Sequence, residues 1–165
     1  MDSMNELTAR LAIEELFARY AHTVDGYDGP GWVDCFSPDG VFQVAATKDG
    51  GGVCFAGHQA LTAFVEAHIQ RLPGTRHVMT NHVIEFSSDT AAEHVCTLSG
   101  TLSRPENVYV FANGYYRSQV ENISGKWKIK HRTVFLDNAE TLSVEPLATH
   151  MQPMMSWIAE NGTPA

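Results

Sequence analysis

The chain has 165 residues, of which 44% are hydrophobic and 18% charged, as in a globular domain with a buried core rather than a disordered chain. Its formal net charge of -8 offers no basic surface for phosphates, which argues against nucleic acid as a partner. Three cysteines without paired spacing, Cys35, Cys54 and Cys96, argue against a disulfide framework or a zinc site. The start of the chain lacks a signal-peptide pattern and no apolar run is long enough to cross a bilayer, so we expect a cytoplasmic protein without membrane contact.

Helices dominate the first half of the predicted structure. Apolar residues recur at steps of three and four over Leu7–Val24, which predicts an amphipathic helix that a glycine-rich turn ends. A short helix is predicted over Trp32–Phe36 and a turn over Ser37–Gly40. A short strand, a glycine-rich loop, a second strand and a second long helix are then predicted at residues 41–45, 49–52, 53–55 and 57–72.

The second half of the chain is predicted to form long strands, because from Arg76 onward the apolar period falls from about 3.6 to about 2. Strands are predicted at residues 77–87, 91–103, 107–121 and 126–137, and hairpin turns join them. Helices followed by antiparallel strands indicate the α+β class, with a strongly curved sheet wrapped over the helices as a cone-shaped barrel. Residues 1–165 are predicted to form one domain, in which the tail, residues 138–165, caps the mouth of the cone or packs at a subunit interface.

Asp25 and His77 are the strongest candidates for chemistry. Asp25 ends the first predicted helix and His77 begins a long strand. A carboxylate that orients an imidazole and stabilises its protonated form makes a general base near neutral pH. Each residue also has a simpler interpretation, Asp25 as a helix-ending turn residue and His77 as a hydrogen-bonded histidine of the sheet.

Three further residues are of types that help an oxygen leave. A departing hydroxide or an enolate-like oxygen needs a hydrogen-bond donor or a cation beside it, and Tyr20, Tyr116 and Arg132 supply these types. Tyr20 could instead pack in the core, and Arg132 could pair with a surface carboxylate. Phe42 and Phe64 offer flat apolar walls for an aromatic ligand.

Asn81 and His94 are weaker candidates. Asn81 shares strand parity with His77, so it either faces the pocket or bonds the backbone of the sheet. His94 could act as a second acid or base, but the sequence leaves the face of its strand open. His77 and His82 fall on opposite faces of one strand and no histidine pair has metal-ligand spacing, so we predict neither a metal nor a cofactor.

The tetrad Pro38–Val41, the R-H-x-x-x-N pattern of Arg76–Asn81 and the run Gly125–Ile129 resemble the SnoaL-like branch of the nuclear-transport-factor-2-like superfamily. The resemblance extends over about residues 5–137. That branch includes scytalone dehydratase, bile-acid 7α-dehydratase and hexachlorocyclohexane dehydrochlorinase. It implies an aspartate late in helix one that pairs with a histidine at the head of the first long strand, the positions held here by Asp25 and His77.

The same resemblance implies roles for other pocket residues. Arg132 stands where the dehydrochlorinase has an arginine that assists the departing anion, and Phe42, Ala112 and Tyr116 stand in its pocket wall. Tyr20 replaces a lysine of that enzyme, which favours an oxygen leaving group over chloride.

These features predict a cofactor-independent lyase that removes water, or a small aldehyde after dehydration, from a hydrophobic cyclic or aromatic substrate. An isomerase or polyketide-type cyclase is one alternative. A non-catalytic assembly module like the β subunit of a ring-hydroxylating dioxygenase is another. We also predict a homo-oligomer, a dimer or trimer, because Tyr109, Phe111 and Tyr115 are expected on the outer face of the sheet.

Overall fold

A computed structural model describes residues 3–165. The helices are α1 (Ser3–Asp25), α2 (Gly29–Asp34), α3 (Gly57–Arg71) and α4 (Leu147–Asn161), with a 3₁₀ helix at Ala139–Ser143. The strands are β1 (Phe36–Val44), β2 (Val53–Ala56), β3 (Thr75–Ser88), β4 (Ala91–Ser103), β5 (Val108–Ile123), β6 (Lys126–Leu136) and β7 (Thr163–Pro164). Within these residues, no helix combines the length and apolar character needed to span a bilayer.

The strands form one curved, unclosed sheet in the order β3-β4-β5-β6-β1-β2-β7, which confirms the predicted α+β class. The β1–β6 pair is parallel and the other neighbouring pairs are antiparallel. The apolar stripe of α1 lies against β3 and β6, and α3 packs on β1 and α2. A single apolar core fills the space between the helices and the concave face of the sheet.

The expected short helix over Trp32–Phe36 and the expected turn over Ser37–Gly40 were wrong in position. The side chain of Asp28 accepts a hydrogen bond from a backbone N–H in the first turn of α2, so this helix begins and ends earlier. Ser37–Gly40 lie within β1, where the register against β6 shifts. A turn-like composition at a bulge explains the error, because bulges use the same residues as turns.

Two further bulges change which side chains face the core. In β3, Asn81 has a positive φ of 58° and the register shifts between Thr80 and Val83. In β5, the register shifts so that Phe111 is the extra residue. Phe111 was expected on the outer face but is buried, because a bulge interrupts the alternation of side chains.

The other two residues expected on the outer face are half-buried. Tyr115 stacks on Phe135 with 4.8 Å between ring centroids, and Tyr109 lies 5.1 Å from the ring of His150. Large apolar side chains that are exposed on β3, β4 and β5 are Val78, Val83, Val95, Val108, Val110 and Ile123. The homo-oligomer stays a prediction.

Two histidines are part of the core. Burial and the neighbouring His77 lower the pKa of His68 to about 3. Burial, with the charge of Arg132, lowers the pKa of His94 to about 2. Both rings are therefore neutral at physiological pH, and the folded state disfavours their protonation.

These histidines predict loss of stability in mild acid. The unfolded chain takes up protons at both rings below about pH 6.5 and the folded chain does not, so the free energy of unfolding falls as the pH falls through that value. The slope approaches about 1.4 kcal/mol per pH unit for each ring. Urea unfolding between pH 7.5 and 5 should reveal it. His68→Phe and His94→Phe should each remove about half of this pH dependence. The control His22→Asn should have the same slope as the parent protein. Equal slopes in the parent and all three variants would show that His68 and His94 are not its source.

Candidate active site

Asp25 holds His77 by two hydrogen bonds. Its Oδ1 lies 2.7 Å from the imidazole Nδ1, and its Oδ2 accepts the backbone N–H of His77 at 2.8 Å. The Arg76 guanidinium donates to the backbone carbonyl of Asp25 at 3.0 Å, which ties the end of α1 to the start of β3. The His77 and Asp25 side chains are 7% and 10% exposed, so water competes little for these bonds.

This arrangement leaves the second nitrogen of His77 available for a ligand. A carboxylate only accepts hydrogen bonds, so the bond to Asp25 places the proton on Nδ1 and the lone pair on Nε2. Among the described residues, none makes a hydrogen bond to Nε2. His77 lies between a cavity inside the cone and an outer groove between α1 and β3, which has a volume of about 590 Å³. Such an imidazole can take a proton from a molecule in the cavity.

The cavity inside the cone is apolar, with a few polar groups in its wall. Aliphatic and aromatic side chains from the sheet, α1, α2 and α3 form most of this wall. Its sequence-predicted members are Tyr20, Phe42, Phe64, His77, Ala112 and Tyr116. The 3₁₀ helix and α4 add to this wall the side chains of Leu142, Met151, Met154, Met155 and Ile158.

The cavity has a volume of about 80 Å³, and this small size limits which ligands fit without a conformational change. A cavity of about 150 Å³ in another protein holds one benzene ring, so the space here is too small for a ring without movement. Three methionines of α4 line the cavity. Unbranched methionine side chains adapt their shape readily. Outward movement of α4 is the simplest way to admit a cyclic molecule.

Tyr20, Tyr116 and Trp32 form a polar end of the cavity. The Tyr20 ring lies 6.1 Å from Tyr116 and 5.4 Å from Trp32, measured between centroids. Burial raises the pKa of Tyr20 and raises that of Tyr116 well above the usual tyrosine value, so both hydroxyls stay protonated. The buried Trp32 N–H influences the Tyr20 hydroxyl but makes no hydrogen bond of regular geometry with a described residue. A ligand oxygen could accept this N–H.

Arg132 lies behind the two tyrosines and outside the cavity wall. Its guanidinium carbon lies 3.7 Å from the centroid of Tyr116 and 4.5 Å from that of Tyr20. The side chain is fully buried and donates to the hydroxyl of Ser118 at 2.8 Å and to the sulfur of Met79. Arg132 therefore does not line the cavity, contrary to the expected direct contact with a departing anion, and it contacts the rings of two residues that do.

Asn81 and His94 also lie outside the cavity wall, contrary to expectation. The positive φ at the β3 bulge leaves Asn81 exposed, with its amide bonded to the hydroxyl of Thr97 at 3.2 Å. His94 is buried and stacks on Phe17 with 3.8 Å between ring centroids. The positions of Asn81 and His94 could not be predicted from the sequence, because they depend on the β3 bulge and on the packing of α1.

His68 and Trp32 are cavity residues that the sequence pattern underrated. His68 belongs to the apolar face of α3, four residues after Phe64 and four before Leu72. That helical spacing was the available signal, since a histidine on a core-facing stripe must lie near the pocket. Trp32 contributes a flat wall, and its N–H also gives the cavity a hydrogen-bond donor.

Three possible metal ligands meet beside the cavity, where the sequence predicted none. The β3 bulge turns His82 toward β4, where its Nδ1 lies 2.9 Å from Nε2 of His94. Together with Cys96, their ligand atoms all lie within 4.8 Å of one another. The permanent charge of Arg132 acts on both His94 and Cys96, which disfavours a further cation. The hydrogen bond between the two imidazoles also occupies Nδ1 of His82 and Nε2 of His94, two nitrogens that could bind a metal.

Solved structures share this fold at low sequence identity. Rv3472, a protein of unknown function from Mycobacterium tuberculosis, is 24% identical with a TM-score of 0.86, covering 99% of this chain and 96% of its own. A protein from Novosphingobium aromaticivorans named as a scytalone dehydratase is 21% identical with a TM-score of 0.72, covering 82% and 88%. A protein from the same bacterium named as the β subunit of an aromatic-ring-hydroxylating dioxygenase is also 21% identical, with a TM-score of 0.71, covering 80% and 91%.

The last two structures have different names and nearly equal similarity to this chain, so the fold alone does not decide function. No curated protein matches the chain in sequence. The SnoaL-like domain family, in contrast, matches residues 5–133, which contain most of α1, all of α2, α3 and β1 to β5, and most of β6. The chain belongs to the SnoaL-like domain family.

Proposed function

We propose that this protein is a cofactor-independent lyase that removes water from a hydrophobic cyclic or aromatic alcohol. The observation that carries the proposal is the Asp25–His77 pair, with a 2.7 Å hydrogen bond, in the wall of an apolar cavity. A buried pair of this kind fixes the tautomer and orientation of the imidazole, so that its second nitrogen can accept a proton from a bound molecule.

The reaction would begin at Nε2 of His77. This nitrogen takes a proton from the carbon next to the one that bears the hydroxyl group. The C–H electron pair becomes the new carbon–carbon double bond, and the carbon–oxygen bond breaks. Asp25 stabilises the imidazolium during this step, because its carboxylate lies 2.7 Å from Nδ1.

The departing oxygen would leave toward the polar end of the cavity. Tyr20 and Tyr116 donate hydrogen bonds to it, and both keep their protons because burial raises the pKa of each hydroxyl. The His77 imidazolium returns the proton to this oxygen. The products are then an alkene and water, and the pair is restored to its starting state.

The cavity wall supports an aromatic or unsaturated ring as substrate. Trp32, Phe42 and Phe64 lie within 4.7 to 5.9 Å of one another between ring centroids, and such walls favour flat apolar molecules. Closure of α4 over the ring would exclude bulk water, which strengthens the hydrogen bonds of the polar end. Dehydration followed by aldehyde release would use the same groups.

The rival functions have less support from the site. An assembly subunit needs an outer surface for its partner, and it has no use for a carboxylate and an imidazole held together inside a cavity. An isomerase would use the same base, but a proton that only moves between carbons needs no donors for a leaving hydroxyl. The donors at Tyr20, Tyr116 and Trp32 favour elimination.

The proposed function leads to two predictions, of which the first concerns the base. His77→Ala should lower kcat for dehydration of a reactive cyclic alcohol by about 10²–10⁴-fold, since general base catalysis contributes factors of that size. Asp25→Asn should also lower kcat, because an amide does not compensate the charge of the imidazolium. Absorbance of the conjugated alkene measures the rate.

His58→Ala serves as the matched control for this pair, because His58 lies on α3 at the outer surface and bonds the carbonyl of Phe36. Its rate should stay within twofold of the parent rate. Thermal midpoints of all three variants must be compared with that of the parent. Undiminished turnover by a folded His77→Ala protein would remove the proposed mechanism.

The second prediction separates the role of Arg132 in function from a role in packing. A buried cation without a carboxylate partner is costly, so Arg132→Met should keep or raise the free energy of unfolding. It should nevertheless lower kcat about tenfold or more, with a smaller effect on KM, because the charge behind the tyrosines is lost.

Arg132→Lys keeps the charge and should recover part of kcat if electrostatics is the cause. Urea unfolding and steady-state kinetics measure the two effects separately. A large loss of stability with unchanged kcat in the folded fraction would make Arg132 a packing residue only.

A further inference from the structure

We propose that His68 is a second ligand-binding group of the cavity, which forms a hydrogen bond with an oxygen substituent beside the atom that His77 attacks. The part of this proposal that concerns catalysis rests on the proposed lyase function. The part that concerns binding does not, and it can be tested without turnover.

The position of His68 carries the proposal. Its side chain projects from α3 into the cavity wall and is only 7% exposed. Its ring centroid lies 5.7 Å from that of His77. The two imidazoles can therefore reach neighbouring atoms of one bound ring.

The hydrogen bonding of His68 leaves one nitrogen for a ligand. Nε2 lies 3.3 Å from the hydroxyl of Thr75, which is buried at the start of β3. Among the described residues, Nδ1 has no hydrogen-bond partner. A hydroxyl can donate or accept, so Thr75 supports either tautomer of the ring. Nδ1 can consequently donate to a carbonyl or accept from a hydroxyl group.

His68 cannot replace His77 as the base. The burial that makes it neutral persists during the reaction, and the positive charge that forms on His77 further disfavours protonation of His68. A neutral imidazole is nevertheless a good hydrogen-bond donor to an oxygen that gains negative charge. His68 would thus stabilise an enolate-like oxygen, while Tyr20 and Tyr116 serve the departing one.

This division of roles narrows the substrate class. A substrate that uses both ends of the cavity carries two oxygen functions on one ring system. One is the hydroxyl that leaves, and the other is a carbonyl or phenolic oxygen within a few bonds of the proton that His77 removes. An alcohol without the second oxygen would bind without the His68 contact.

Binding of phenol and toluene tests the contact, because the two molecules have nearly the same shape and differ in one hydroxyl group. Titration calorimetry or competition with a fluorescent dye gives both affinities for the parent protein and for His68→Phe. The substitution keeps a flat ring and removes the nitrogens. We expect phenol affinity to fall by about three- to tenfold, the range for one hydrogen bond, and toluene affinity to stay within twofold. His68→Asn, which keeps polar atoms, should recover part of the loss.

Tyr116→Phe identifies the end of the cavity at which phenol binds. A loss of phenol affinity in Tyr116→Phe with none in His68→Phe would overturn the proposal, as would equal losses for phenol and toluene. In the parent protein, the ¹⁵N resonances of the His68 ring should move on addition of phenol and not on addition of toluene. Static resonances with phenol bound would also overturn it.

A kinetic arm separates this proposal from the lyase function. If cyclic hydroxyketones are dehydrated in a His77-dependent reaction and His68→Phe has full kcat, the lyase function stands and the catalytic role of His68 fails. If His77→Ala is fully active while His68→Phe loses phenol binding, the lyase mechanism fails and the binding role stands.

Discussion

The double hydrogen bond between Asp25 and His77 is the constraint on which the site depends. It joins the end of the first helix to the start of the first long strand, 52 residues apart in sequence. One carboxylate oxygen fixes the backbone of β3 and the other fixes the imidazole. The position of the strand and the orientation of the base are therefore set together, and a small shift of α1 would change both. The bond between Arg76 and the end of α1 further limits such a shift.

The distribution of charge around the cavity supports the proposal that His77 is the group that gains a proton. Arg132 carries a permanent charge, compensated by aromatic rings instead of a carboxylate. Burial keeps His68 and His94 neutral. Of His68, His77 and His94, His77 is the one with a carboxylate bonded to its imidazole. The protein thus contains several basic groups in a small volume but allows new positive charge at one of them.

The sequence predicted those features that depend on local periodicity or on a pair of chemically matched residues. The limits of β4 and the helical face of α1 follow from spacing, and Asp25 with His77 follows from residue type and position. The errors cluster at bulges. One extra residue reverses the side-chain alternation of a strand, which exposes Asn81 and buries Phe111. No periodicity argument contains that information, because it depends on the pairing of strands distant in sequence.

The small size of the closed cavity links stability to function. Fifteen residues of α4 bury Met151 and Met154 against the cavity, so the closed state gains apolar contacts that an open state lacks. A bound ring would supply replacement contacts for the same methionines, which reduces the cost of moving the helix. Flexible methionine side chains would accommodate a range of ring sizes, whereas in the proposed site the positions of His77, His68 and the tyrosine pair would restrict where oxygen atoms bind. Selectivity in this cavity should therefore come from the placement of oxygens on a ring more than from the size of the ring.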